Sequence, residues 1–366
     1  LVIKKTVLTV GDVIRLHQKN IAEGKSSKCL IVCNTIKKAQ EIYQELEDSK
    51  ISNIYLLHSK FIKKDRSNKE EAILQVGKTF LDNQKEINER QEIWVSTQIV
   101  EASLDIDFDY LFTELSELNG LFQRLGRCNR KGVKSVDESN CYVYTEIDPN
   151  IIIKGNRGFI DKRIYKLSKE GICTHGDGIL TEDEKQEIIN KYLTIGNISD
   201  SDYMENYWLH YDYVSNLYLN ETTQYDVQKR FRNIISYTVI PQDILLDLDI
   251  KYEIEDILDK LTSIKRTIES EKLLPTKKKM YKIECIKLKD KLMQYTVPVG
   301  YYDIYYDNKN KSNNDIVGKY QLSQYEEIYI IDGHYDSKRG FQRLSAVERK
   351  AKKCQAKTEE FFDSFI

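Results

Sequence analysis

The sequence predicts an α/β protein. A parallel sheet with helices on both faces spans residues 1–160, a mainly helical linker spans 161–225, and a small α+β domain spans 226–366. Three observations lead there. A length of 366 residues suits roughly two to three domains. Short apolar runs in the first 150 residues alternate with stretches of helical spacing. Past residue 160 the composition turns to tyrosine-rich and then lysine-rich helical sequence.

The run Lys28-Cys29-Leu30-Ile31-Val32-Cys33-Asn34 reads as a buried strand, and Thr35 to Leu46 follows with Ile36, Ala39, Ile42, Tyr43 and Leu46 on one helical stripe. Ile54-Tyr55-Leu56-Leu57 is a second strand ending at His58-Ser59, with a charged helix from Lys64 to Val76 beyond it. Glu92 to Ser96 and Tyr110-Leu111-Phe112 are the third and fourth. Continuous apolar strands separated by helices imply a parallel sheet covered on both faces. Further on, Gly171 to Gly178 reads as a loop, and Thr181-Glu182-Asp183-Glu184 reads as a capped helix start. Helical sequence continues to about Leu219, and Val227 to Val239 reads as strand. Glu253 to Met293 is a helical hairpin broken near Pro275; Tyr301 to Tyr306 and Glu327 to Ile331 read as strands, and the tail after Ala346 as helix.

Composition excludes several classes. Charged residues make up 31% and hydrophobic ones 40%, and 56 basic against 58 acidic side chains leave a net charge of -2, as in ordinary globular proteins. No apolar run approaches the ~20 residues of a membrane span. Leu1 to Thr6 offers neither a signal-peptide core nor an initiating Met, so the chain is expected to begin inside a longer parent. The seven cysteines, Cys29, Cys33, Cys128, Cys141, Cys173, Cys285 and Cys354, form no CxxC pair, which reads as reduced thiols in a reducing compartment, and the chain is expected to be cytoplasmic. The charge balance argues against a wholly basic nucleic-acid surface.

Ligand chemistry in such sheets gathers at the carboxyl ends of the strands. In Gln123-Arg124-Leu125-Gly126-Arg127-Cys128-Asn129-Arg130 an arginine recurs every third residue. On a helix that spacing places the guanidiniums on adjoining positions of one face, a concentration that suits a polyanion, although a solvated basic face has the same composition. Val95 to Asp107 is a strand that empties into a polar turn with carboxylates at Asp105 and Asp107, able to meet a phosphodiester backbone or a ribose hydroxyl, or simply to cap turns. Asn34 and Thr35 open a helix, where free N–H groups attract anions.

In this order the segments resemble motifs four to six of the second RecA-like domain of superfamily two helicases. The resemblance narrows to the CRISPR-associated helicase-nuclease, the Cas-three effector of type I interference. It is carried by Ile31-Val32-Cys33-Asn34-Thr35, by Leu56-Leu57-His58-Ser59-Lys60-Phe61 with Asp65-Arg66, by Ser96 to Asp109, and by Gln123 to Gly132. The stretch Glu101-Ala102-Ser103-Leu104-Asp105-Ile106-Asp107-Phe108-Asp109 and the Cys128-Asn129 within the arginine motif are its most restrictive parts. The match is firm over residues 28 to 135 and fades into the family's linker and C-terminal domain.

The resemblance implies roles. Arg127 and Arg130 would be arginine fingers reaching the γ-phosphate of ATP, which is held with Mg2+ mainly by an N-terminal half of the parent. Gln123 would line that cleft, Asp105 would bond the ribose, and Arg124 would border the nucleotide as a structural or coupling residue. Thr97, Asn34, Thr35, His58 and Ser59 would face the phosphates of single-stranded DNA. The implied partners are single-stranded DNA, the N-terminal helicase and nuclease half, and the RNA-guided surveillance complex (Cascade), with no membrane. A separate docking module, or a helicase acting on RNA, shares part of the pattern.

A complete motor needs a phosphate-cradling G-x-x-x-x-G-K-[ST] loop. Gly24-Lys25-Ser26 has Lys19 at the first glycine position and runs into a strand, while Ala72 to Thr79 places bulky Ile73, Leu74 and Val76 in a helical approach. Neither can wrap a phosphate. No histidine is followed by Asp, so the family's His-Asp nuclease motif is absent from this sequence, and the chain is expected to supply arginines and DNA grip without metal ligands of its own. Lys277-Lys278-Lys279 and the lysines after them read as a solvated helix face.

Overall fold

The computed structural model describes residues 1–78, 91–101, 104–132, 138–154, 158–216, 236–270, 273–305, 315–323 and 326–352. They fall into two compact units: Leu1–His58 with Asn68–Asn233, and Ser59–Ser67 with Ile234–Ile366. The expected linker region 161–225 lies in the first unit, and the second takes in the short stretch after His58.

The first unit contains β1 (Val2–Val7), α1 (Val10–Ala22), β2 (Ser27–Val32), α2 (Ile36–Asp48), β3 (Ile54–Leu57), α3 (Lys63–Val76, counted here from Asn68), β4 (Gln91–Ser96), β5 (Tyr110–Glu114), α4 (Leu118–Leu125) and β6 (Cys141–Glu146). The strands form one six-stranded sheet in the order β1-β6-β5-β2-β4-β3, every pairing parallel. β2 is central, with Leu30 opposite Trp94 of β4 and Leu111 of β5. All six of its residues are buried. Alternation along a strand sends Leu30 and Val32 to one face and Cys29 and Ile31 to the other, and all four are fully enclosed, so both faces are covered as expected. Even the polar start of β2 is satisfied: Ser27 Oγ lies 2.8 Å from His17 Nδ1, and Lys28 Nζ donates to the Val76 carbonyl at 3.4 Å. β1, α1 and β6, which the sequence reading did not single out, extend the sheet on the β5 side.

Helices α5 (Lys162–His175), α6 (Glu182–Tyr192), the single turn α7 (Ile195–Ile198) and α8 (Asp202–Ser215) complete the described part of this unit. The expected loop over Gly171 to Gly178 is corrected: α5 continues to His175. Gly171 serves packing, since a Cβ there would lie 2.9 Å from Ile188 and 3.1 Å from Tyr192. α6 starts on the expected Thr181, which forms a reciprocal capping box with Glu184.

The second unit contains β7 (Ser236–Pro241), the long pair α9 (Leu248–Ser270) and α10 (Pro275–Met293), β8 (Val297–Gly300), α11 (Tyr301–Ile304), β9 (Ile316–Ser323), β10 (Glu326–Ile331), β11 (His334–Asp336) and β12 (Gly340–Gln342). Its sheet runs β8-β7-β10-β9, with only β7 and β10 parallel; β11 and β12 form a separate ribbon. Ile254, Ile257, Leu261, Leu292, Val297 and Phe341 fill its core together with Ile62. The stretch carrying Ile62 is knitted into this unit: the Lys63 N–H donates to the Thr296 carbonyl at 3.1 Å, and Tyr335 Oη donates to Asp65 at 2.6 Å while accepting from the Ile62 N–H at 3.1 Å. Where a strand was expected at Tyr301 to Tyr306, residues 301–304 are helical, because the Asp303 carboxylate turns back to accept the Gly300 N–H at 2.9 Å. Tyr306 lies outside the described residues, as does the expected strand start from Val227 to Ile235; Ser236 to Val239 belong to β7. Residues 346–352 are helical, and the rest of the tail lies outside the described residues.

The second phosphate-loop decoy is a plain helix end: the Gly77 N–H donates to the Ile73 carbonyl at 2.8 Å. The Gly77 carbonyl accepts the Asp107 N–H at 2.7 Å, and a Cβ on Gly77 would lie 2.6 Å from Ile106 Cβ. Gly77→Ala is therefore expected to lower the unfolding free energy by about 1–3 kcal/mol through overpacking. Urea denaturation of the chain reads this as a lower midpoint, and an unmoved midpoint would show that Ile106 yields freely.

Candidate functional site

The strand order sets the ends of β4, β2 and β5 side by side. Past β2, the Asn34 N–H donates to Glu114 Oε2 at 2.6 Å and its Nδ2 donates to the Leu115 carbonyl at 2.9 Å. Burial pushes the Glu114 carboxyl above the usual range, opposed by the Asn34 N–H and the charges of Lys38 and Arg124. Thr35 caps α2, its Oγ1 accepting from the Lys38 N–H at 3.1 Å. Past β4, Thr97 opens the short turn Gln98–Val100, and Gln98 Nε2 donates to the Asn34 carbonyl at 2.8 Å.

This edge gathers Asn34, Thr35 and Thr97 as the sequence reading expected, but Asn34, Thr97 and His58 are buried at 2%, 5% and 0% exposure. Thr35 is the half-buried hydroxyl of the row. Ser59 belongs to the second unit.

The arginines do not share a helix face. α4 ends at Leu125, and Arg127 and Arg130 follow in a tight turn, with Asn129 in the left-handed region at φ 48°. The turn lies along the segment before β5: the Phe108 N–H donates to the Arg127 carbonyl at 2.9 Å, and the Arg130 N–H donates to Asp107 Oδ1 at 3.1 Å. Each guanidinium thus meets a different environment. Arg124, fully buried, pairs with Glu101 at 2.7 Å and donates to Thr113 Oγ1 at 3.1 Å and the Glu114 carbonyl at 2.9 Å. Arg127, half-buried, donates to the Leu104 carbonyl at 2.6 Å and to the Glu101 carbonyl. Burial, then the charge of Arg130, disfavours its ionised form, while Asp105 and Glu101 oppose that shift. Arg130 is the exposed one, 42% open and 3.4 Å from Asp105, itself 80% open. Gln123 is exposed on α4.

Residues 25–133, which hold all of these features, match the family model described as CRISPR-associated nuclease/helicase Cas3, C-terminal. This segment is similar to the C-terminal part of the Cas3 nuclease/helicases. Among curated proteins, the chain is similar to a Cas3 nuclease/helicase of Methanothermobacter thermautotrophicus, 30% identical over 241 residues, which is 62% of this chain and 26% of that protein. It is also 40% identical over 106 residues to the Streptococcus thermophilus Cas3, covering 28% of this chain and 11% of the relative. The chain therefore spans about a quarter of the first relative's length. Among solved structures, T. fusca Cas3 with ADP superposes with a TM-score of 0.58 at 16% identity, covering 94% of this chain and 40% of that one. That likeness shows a shared fold: the sheet and its helices are those of a Cas3 helicase structure.

Sequence reasoning missed Glu101 as a hinge of the Cas3-like site. Its carboxylate holds Arg124 and its carbonyl holds Arg127, joining α4, the arginine turn and the segment after β4. Nothing in its spacing separates it from a surface acid. Truncating Arg124 to Met strands the Glu101 carboxylate and the Thr113 hydroxyl, with an expected loss of about 3–5 kcal/mol. Pairing Arg124→Met with Glu101→Gln should restore part of that loss in a double-mutant cycle; strict additivity would show that the two side chains act independently.

Proposed function

We propose that this chain supplies the second motor domain and an accessory domain of an ATP-dependent single-stranded DNA translocase of CRISPR interference. The phosphate-cradling loop lies on a domain outside this sequence. The observation that carries the proposal is the exposed guanidinium of Arg130, held on a braced turn next to the exposed Asp105 inside a Cas3-like domain. The Cas3 names of the relatives and the nucleotide in the T. fusca structure support the same reading.

The geometry divides the labour between the arginines. Arg130 can leave Asp105 cheaply, because an exposed ion pair contributes only about 0–1 kcal/mol. Its planar fork would then meet the γ-phosphate oxygens and stabilise the charge that develops as the phosphoryl group departs. Asp105, released, would accept from the ribose hydroxyl. Arg127 would act one step back, fixing the turn through the carbonyls of Glu101 and Leu104. Gln123 would border the same cleft. DNA grip by the first unit would come from Thr35 and the segment that opens at Thr97. Among the described residues no group of three or more His, Cys, Asp or Glu side chains is placed to hold a metal ion, so in this proposal magnesium is carried by the domain with the phosphate loop. Recruitment by an RNA-guided surveillance complex belongs to the same proposal and rests on the family likeness.

In the complete helicase, Arg130→Ala is expected to cut kcat for DNA-stimulated ATP hydrolysis about a thousandfold while ATP affinity changes little, because a finger acts on developing charge. Steady-state turnover with nucleotide titration checks this, and unchanged turnover removes the assignment. The 366-residue chain alone is expected to show no hydrolysis above background; brisk turnover by it would overturn the proposal as a whole.

A further inference from the structure

A cavity of about 400 Å3 opens at the carboxyl edge of the first unit's sheet, between the ends of β2, β4 and β5 and the helices α5 and α8. We propose that it is a binding site for an organic cation, a guanidinium or alkylammonium group. The proposal stands apart from the motor reading, because it concerns neither the arginine turn nor a nucleotide.

The cavity wall is rich in acceptors. Asn34, 2% exposed, is one of the lining residues; its buried Oδ1 has no hydrogen-bond partner, while its Nδ2 donates to the Leu115 carbonyl. A buried acceptor without a donor is an unmet demand that a ligand N–H can satisfy. Glu117, on the same wall, makes no side-chain cap to α4, and among the described residues its carboxylate has no hydrogen bond or ion pair. Partial desolvation, then the negative charges of Glu101 and Asp161, raises its pKa, with Arg124 opposing.

Charge decides the ligand class. Three carboxylates line the cavity, those of Glu101, Glu117 and Asp161, against one cation, Arg124. That guanidinium is fully buried, with Nε on Glu101 and Nη1 on Thr113 and the Glu114 carbonyl, and its charge is matched by Glu101. Asp161 is occupied by backbone N–H groups of Arg163, Ile164 and Tyr203, which leave its charge in place. A phosphate is repelled here and a cation is attracted. Phe159 and Tyr203, 54% and 56% exposed, add aromatic faces of the kind that hold ammonium and guanidinium groups. Among the described residues no cluster is built for a metal ion, and acceptors spread around a cavity of this size suit an extended group with several N–H donors.

The group can come from a free polyamine or from an arginine or lysine side chain of a protein partner. Calorimetric titration of the 366-residue chain with N-methylguanidinium, with spermidine and with inorganic phosphate tests the site. One cation per chain is expected, phosphate giving no heat, and Glu117→Gln is expected to weaken the cation about tenfold. Tyr203→Ala, with circular dichroism unchanged, should weaken it too. Tighter binding of spermidine supports the proposal with a free amine as source. Tighter binding of N-methylguanidinium supports it with a side chain as source. Absence of binding by either cation at about 10 mM, binding untouched by Glu117→Gln, or binding of phosphate in their place overturns it.

Discussion

The fully buried Arg124 and its partner Glu101 form the contact on which the motor-like edge of this protein depends. Charges withdrawn from water are costly unless every donor finds an acceptor. Arg124 answers that cost through Nε on Glu101 past β4 and Nη1 on Thr113 and Glu114 at the end of β5. Two chain segments are thereby fixed to α4. The consequence passes on to the arginine turn, because the same Glu101 presents its carbonyl to Arg127. A charge buried for structural reasons thus determines where the exposed charge of Arg130 stands.

A second constraint comes from the parallel sheet. With both faces covered, ligands meet the sheet at its strand ends, and the order β4-β2-β5 places three of those ends in a row. Two electrostatic territories lie at opposite edges, the arginine turn against the segment that enters β5 and the cavity past the carboxyl ends of the strands. Around Arg127 and Arg130 the surface is cationic and held by backbone carbonyls and Asp105. Around Glu117 and Asp161 it is anionic and lined with aromatic rings. Neither territory is visible in a net charge of -2.

Much of the first unit was legible because a buried strand and an amphipathic helix leave strong periodic marks. β2 to β5 and α2 and α3 fall where the apolar runs and the spacing of Ile42, Tyr43 and Leu46 place them. β1 and β6 were passed over: β1 is an edge strand diluted by Lys4 and Lys5, and the run of β6, between β1 and β5, is interrupted by the polar Tyr142 and Thr145. The arginine motif was recognisable, but its shape was not: helical spacing continued through Gly126, whereas the chain turns there and Asn129 adopts a left-handed backbone. Gly171 misled in the opposite sense, marking close helix packing where a loop was expected. The burial of Asn34 and His58 depends on what covers them, and no local pattern encodes it.

Ile62 sits in the core of the second unit although its neighbours in sequence at His58 and Asn68 belong to the first. No single cut of this polypeptide therefore yields two intact pieces. Severed at residue 233, the leading fragment would keep an orphaned greasy side chain with nothing to cover it, and the trailing one would be left with a hole where Ile62 and the acceptor for Tyr335 had been. Dissecting the molecule into autonomous modules would require transplanting nine residues along with the tail.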